Sequence, residues 1–154
     1  MSSRVQLALN VNDIDEAIEF YSRLFAAEPA KRRPGYANFA ITEPPLKLVL
    51  LENPGRGGTL NHLGIEVSDI ETVDAEQARL AVAGLASVDE RATTCCYANQ
   101  DKFWVQGPSD GERWEVYAVL ADSQTFYGPD HDGPDCCSGG DQASGDQAAA
   151  VASR

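Results

Sequence analysis

The first part of this chain is written twice, and that restricts what it can fold into more than any other feature. The segment from Gln6 to Ala17 aligns without gaps to the segment from His62 to Val73, at an offset of 56 residues. Leu7/Leu63, Val11/Val67, Asp13/Asp69 and Ile14/Ile70 are identical, and Leu9/Ile65 and Asp15/Glu71 are close. A repeat at this spacing means one supersecondary unit used twice, with neither copy able to bury its apolar face alone.

Each copy opens on strand periodicity, with Val5, Leu7, Leu9 and Val11 alternating in the first and Leu63, Ile65 and Val67 in the second. Asp13 and Asp69 then stand where a helix N-cap belongs, and the spacing turns helical. The helical positions are Ile14, Ala17, Ile18, Tyr21, Leu24 and Phe25, then Val73, Ala78, Leu80 and Ala81. Short apolar or alternating segments follow, broken by Pro and Gly, at 37–41 and 47–52 and again at 103–106 and 113–119. Both copies therefore read βαβββ, which predicts an α+β chain of two modules, 4–53 and 59–120. Asn53-Pro-Gly-Arg-Gly-Gly58 forms the turn-rich linker between them.

From Ser123 onward Gly, Ser, Asp, Pro and Ala dominate. Such a segment buries too little apolar surface to offset its ordering entropy, so residues 1–122 are expected to form the domain and 123–154 a flexible acidic tail. The tail carries His131 and the pair Cys136-Cys137.

At 154 residues the chain suffices for one domain with a sizeable core. Its net charge of −12 argues against nucleic-acid binding and against anionic membrane surfaces, leaving small molecules and metals as expected partners. The apolar run from Leu46 to Leu51 is far too short to span a bilayer, and no basic region followed by an apolar stretch marks a signal peptide, so a cytoplasmic monomer or homodimer is expected. The four cysteines form two adjacent pairs, Cys95-Cys96 and Cys136-Cys137. An adjacent pair closes only into a strained ring, which argues against a disulfide framework while leaving open a bridge between the pairs.

Three strand positions are candidate metal ligands. His62 opens the first strand of the second copy, Gln6 holds the equivalent place in the first, and Glu115 lies within Arg-Trp-Glu-Val-Tyr. Singly, each has a plainer reading: a hydrogen-bonded histidine, an exposed glutamine, a glutamate on the wet face of a strand. The repeat changes the balance for Gln6 and His62, which internal symmetry relates. A carboxylate sharing a strand face with Tyr117 and Val119 is costly to bury without a proton, a cation or a metal. Cys95 and Cys96 read equally as two small hydrophobes or as two soft donors for one thiophilic centre. Tyr97, Asp101 and Lys102 follow on what reads as a loop, either solvated or lining a pocket.

The two modules, His62 at the head of the fifth strand, Glu115 in the last strand and the stretch Thr93-Thr-Cys-Cys-Tyr-Ala-Asn-Gln-Asp-Lys-Phe-Trp-Val-Gln-Gly-Pro108 together resemble the carbon-arsenic lyases and related cadmium-induced proteins of the vicinal oxygen chelate superfamily. The resemblance covers residues 4 to about 122. It implies a glyoxalase-like cupped mixed sheet, Fe(II) held by Gln6, His62 and Glu115, and the trivalent arsenic of an organoarsenical bound by Cys95 and Cys96. The expected activity is dioxygen-dependent cleavage of the carbon–arsenic bond. Many members of the superfamily have His in place of Gln6 and a fourth protein ligand; here Leu48 is expected at the position symmetric to Glu115, which leaves a three-ligand set close to the facial triad of non-haem iron oxygenases. The alternatives are a non-enzymatic cadmium- or arsenite-sequestering protein and an extradiol-type dioxygenase.

Overall fold

The computed structural model describes residues 3–127. His131, Cys136 and Cys137, and with them most of the expected tail, lie outside the described residues.

Among the described residues the order is β1 (Arg4–Val11), α1 (Ile14–Phe25), β2 (Lys31–Arg33), β3 (Tyr36–Ile41) and β4 (Leu46–Glu52). The same pattern follows in β5 (Thr59–Val67), α2 (Ile70–Val82), β6 (Val88–Cys95), β7 (Ala98–Gln106) and β8 (Arg113–Asp122). Both helices start where the sequence places their caps. Asp13 accepts from the Glu16 amide at 2.9 Å and Asp69 from the Thr72 amide at 2.8 Å, each cap contributing about 1 kcal/mol.

The strands form one curled mixed sheet in the order β2-β3-β4-β1-β5-β8-β7-β6. At its centre β1 and β5 run antiparallel, and each is flanked by a parallel partner, β4 or β8. Helix α1 packs on β3 and β4, and α2 on β7 and β8.

Alternation along the strands separates two faces. Leu7, Leu9, Leu48 and Leu50 pack toward α1 with Ala17, Ile18 and Phe39, while Val67, Phe103, Val116 and Ala118 pack toward α2 with Val73. The residues between them face the concave side. That face holds an unusual set of buried polar groups: Gln6, Asn10, His62, Glu66, Gln100, Lys102 and Glu115 are each less than 9% exposed. A fold that buries so many polar groups in one place must pair them or give them a ligand.

Four expectations change. Asp101 and Lys102 lie within β7 and are buried rather than on a loop, and Tyr97 sits in a two-residue turn. The residue symmetric to Glu115 is Val49, not Leu48. Gly64 pairs with Glu115 as its repeat equivalent Ala8 pairs with Val49, so Leu48 points into the helix-side core. Residues 123–127, expected to begin the tail, pack back on the sheet: Phe126 stacks edge-on against Tyr97 and Tyr36, and Tyr127 bridges to Cys95. The argument against a disulfide framework also meets an exception, because Cys95 is disulfide-bonded. No helix among the described residues is long and apolar enough to cross a membrane.

Candidate metal and thiol site

Gln6, Gly64 and Glu115 stand side by side across the three central strands, Gly64 paired with Gln6 on β1 and with Glu115 on β8. Gly64 makes this row possible. A Cβ at that position would stand 3.0 Å from Glu115 Cγ and 3.2 Å from Gln6 Nε2, so glycine leaves the flanking side chains room to converge. His62, two residues earlier on β5, faces the same way.

Gln6 Nε2 lies 2.7 Å from Glu115 Oε1 and 3.2 Å from His62 Nε2, and the His62–Glu115 edge is also 3.2 Å. Three donors on one face of an octahedral ion, each near 2.1 Å from it, are about 3 Å apart. The triangle therefore has the size a facial metal set requires. Among the described residues no three His, Cys, Asp or Glu side chains converge, and the third corner of this triangle is the amide of Gln6. In the present arrangement its nitrogen occupies the corner, while its oxygen accepts a 2.5 Å hydrogen bond from the Tyr117 hydroxyl.

The corners are held from behind. His62 Nδ1 lies 2.7 Å from Asn61 Oδ1, and the Asn61 amide nitrogen in turn donates to Asn10. Asn61 Oδ1 can only accept, so Nδ1 is the donor there and Nε2 is the ring nitrogen that faces the site, the usual arrangement behind a metal-ligating histidine. Neighbouring strand residues normally point to opposite faces. Here the register shifts between Ala8 and Leu9, a β-bulge that passes over Asn61 and turns its side chain toward its own neighbour. Behind Glu115, Lys102 donates from Nζ to Oε2 at 3.0 Å and lies over the Trp104 ring, which meets His62 edge-on. Burial pushes the Glu115 carboxyl up, but the Lys102 ammonium and the His62 ring more than offset this and hold it well below the ordinary carboxylate range. Burial, reinforced by Glu66, pushes the Tyr117 phenol up, so it stays protonated.

The thiols sit at the tip of the β6–β7 hairpin. Cys95 pairs with Ala98, leaving Cys96 and Tyr97 as a two-residue turn with φ of 55° and 61°. Left-handed φ at both turn positions matches the twist of a hairpin but is ordinarily left to Asn and Gly, and it costs a β-carbon residue about 1 kcal/mol or more. The Cys95 and Cys96 sulfurs are 3.1 Å apart. Cys96, a thiol, lines one cavity together with Gln6, His62 and Glu115, and Lys31, Lys47 and Tyr36 are also in its wall. Cys95 is buried beneath the turn.

Of the side chains singled out in the sequence, Gln6, His62, Cys96 and Glu115 line this cavity, whereas Asp101 accepts from the Ala92 amide and Leu48 points into the helix-side core. Gly64, Asn61 and Glu66 were not singled out. A glycine within an alternating strand is a signal of close backbone approach that marks Gly64 in retrospect.

Residues 4–116 match the Glyoxalase/Bleomycin resistance protein/Dioxygenase superfamily. The chain is 67% identical over 144 residues, 89% of this chain and 94% of the relative, to the cadmium-induced protein CadI of Mycobacterium tuberculosis. It is 55% identical over 143 residues, 92% of this chain and 93% of the relative, to the trivalent organoarsenical cleaving enzyme of Thermomonospora curvata. Among solved structures, a variant of homoprotocatechuate 2,3-dioxygenase from B. fuscum is similar with a TM-score of 0.58 at 17% identity, covering 82% of this chain and 34% of that one, a likeness of fold alone.

Proposed function

Because the chain belongs to the glyoxalase/bleomycin resistance protein/dioxygenase superfamily, we propose that it is an Fe(II)- and dioxygen-dependent carbon–arsenic lyase acting on trivalent organoarsenicals. One observation carries this reading: the Cys96 thiol and the Gln6, His62 and Glu115 triangle open into the same cavity. Soft sulfur donors suit As(III), whereas an amide, an imidazole and a carboxylate suit Fe(II) with coordination positions left over. Iron bound there would supply the redox chemistry that dioxygen needs to react with an arsenic-bound carbon.

The chain's own residues divide the work. Cys95 and Cys96, once reduced, hold the arsenic so that its carbon substituent points across the cavity, replacing an encounter in solution by a fixed approach. His62, with Nδ1 tied to Asn61, presents Nε2 to the site. Lys102 keeps Glu115 ionised, and Tyr36 and Trp104 in the concave core limit the entry of water. For a methyl substituent the atoms balance as one methylarsenite and one dioxygen giving one arsenite and one formaldehyde. The cytoplasmic location and the monomeric or homodimeric state belong to the same proposal.

The two sulfurs of Cys95 and Cys96, 3.1 Å apart, support a second reading, a protein that sequesters thiophilic ions. A sequestering protein needs its thiols but has no use for a facial triangle on the far wall. The two readings separate in variants assayed with a non-thiol reductant. Cys95→Ser with Cys96→Ser is expected to load iron normally yet lose arsenical binding and turnover together. His62→Ala is expected to bind the arsenical and release no arsenite. Turnover by His62→Ala would remove the triangle from the mechanism.

A further inference from the structure

The amide of Gln6 presents a chemical contradiction that the residues behind it resolve. Its nitrogen stands at the corner shared with His62 Nε2 and Glu115 Oε1, at 3.2 Å and 2.7 Å. An amide nitrogen has no lone pair for a cation, so Gln6 can serve as a ligand only when its oxygen occupies that corner. Turning the amide over exchanges two ends of nearly equal size about a soft terminal torsion. What decides the orientation is the group on the other side of the amide.

That group is the Tyr117 hydroxyl, and it has one hydrogen for two acceptors, Gln6 Oε1 at 2.5 Å and Glu66 Oε2 at 3.1 Å. If the hydrogen goes to Gln6, the amide nitrogen faces the site. If it goes to Glu66, the phenol oxygen becomes an acceptor toward Gln6, and the favourable orientation places Gln6 Nε2 on Tyr117 and Oε1 at the corner. Glu66 is buried yet held by Arg4 Nη2 at 2.8 Å and Lys47 Nζ at 2.8 Å, which keeps it a carboxylate. Hydrogen bonds from a hydroxyl to a carboxylate are stronger than those to a neutral amide.

We infer that Glu66 and Tyr117 form a relay that orients Gln6, drawing the phenol hydrogen away from the amide so that the glutamine oxygen faces the metal. Glu66 and Tyr117 are positioning residues, neither reaching the cavity corner itself. The inference rests on the proposed metal site, and it gives a role to the buried Glu66 carboxylate and to the half-buried Arg4 and Lys47 that hold it.

The test is a double-mutant cycle read by Mn(II) affinity, with Mn(II) alone as the probe and free Mn(II) followed by its paramagnetic resonance signal. Tyr117→Phe removes the phenol, and Glu66→Gln replaces the carboxylate by an amide that can donate to the phenol and push its hydrogen back to Gln6. Each is expected to weaken Mn(II) binding about 10-fold or more. The same two changes are then made in a Gln6→Glu background, where both ends of the side chain are oxygen and orientation no longer matters. There each is expected to change affinity less than about 3-fold. Equal losses in both backgrounds, or no loss in either, would overturn the relay while leaving the site intact. Failure of the unsubstituted protein to bind Mn(II) would overturn the site and the relay together. Should one variant not fold, the other gives the same cycle.

Discussion

Lys102 and Glu115 bring two opposite charges into the concave core, and removing one partner leaves the other stranded. In the native protein the Glu115 carboxyl is held below its ordinary value of 4.5, so its contribution to stability is fully present above that pH and lost as the pH falls toward the folded value. Lys102→Met reverses the sign: burial then dominates, the carboxyl is pushed up, and the variant suffers most at neutral pH. We expect the metal-free variant to be about 3–5 kcal/mol less stable near neutrality, with the deficit narrowing in acid as Glu115 takes up a proton. Urea unfolding at several pH values reads this directly, and a deficit independent of pH would mean that Lys102 acts by packing alone. Gly64→Ala should lower stability by about 1–3 kcal/mol and weaken Mn(II) binding, because the new Cβ stands against Glu115 Cγ. Unaltered Mn(II) affinity in that variant would show that the row tolerates a side chain. Of these residues the sequence exposes Gln6 and His62 through the repeat and Glu115 through the cost of burying it. Asn61 and Glu66 act through cross-strand register and a bulge, which no local pattern encodes, whereas Gly64 shows itself only as a glycine within an alternating strand.

The elements that follow a clean period were legible, and the missing ones fail for a physical reason. β1, β5 and both helices show alternation or helical spacing because each buries one face against the other module or the sheet. β2, read as nothing, is Lys31-Arg-Arg33, and β6 runs Val-Asp-Glu-Arg-Ala-Thr-Thr-Cys. Both are the outermost strands of the sheet, where charged residues are common because they discourage edge-to-edge pairing. Missing β6 and placing β7 too late turned the hairpin that carries Cys96 into a loop. That hairpin aims the thiol through a turn of minimal length. Inserting one glycine between Cys96 and Tyr97 should leave the melting temperature nearly unchanged while weakening binding of trivalent methylarsenical by 10-fold or more, as measured by calorimetry on reduced protein. Unaltered affinity would show that the turn does not aim the sulfur.

At the scale of the molecule, two βαβββ units share one sheet, and their pseudo-symmetry has been broken on purpose at the cup. His62 answers Gln6, but Val49 is the symmetric counterpart of Glu115, so an apolar side chain lines the cavity where a fourth ligand would close the site. The chain after β8 contributes too. Phe126 and Tyr127 pack on the cluster of Tyr36, Trp104 and Cys95, so truncation after Asp122 is expected to lower stability by about 2 kcal/mol, whereas truncation after Tyr127 under reducing conditions should not. Thermal melts of the two truncations, side by side, decide this. The central claim is that thiols and metal triangle act on one substrate in one cavity. It is tested most directly by loading reduced protein with Fe(II) and trivalent methylarsenical without oxygen, then admitting air and measuring inorganic arsenite. The account predicts no arsenite before oxygen and, in the first turnover, one arsenite for each dioxygen consumed; an arsenical that stays bound and intact after air is admitted would contradict it.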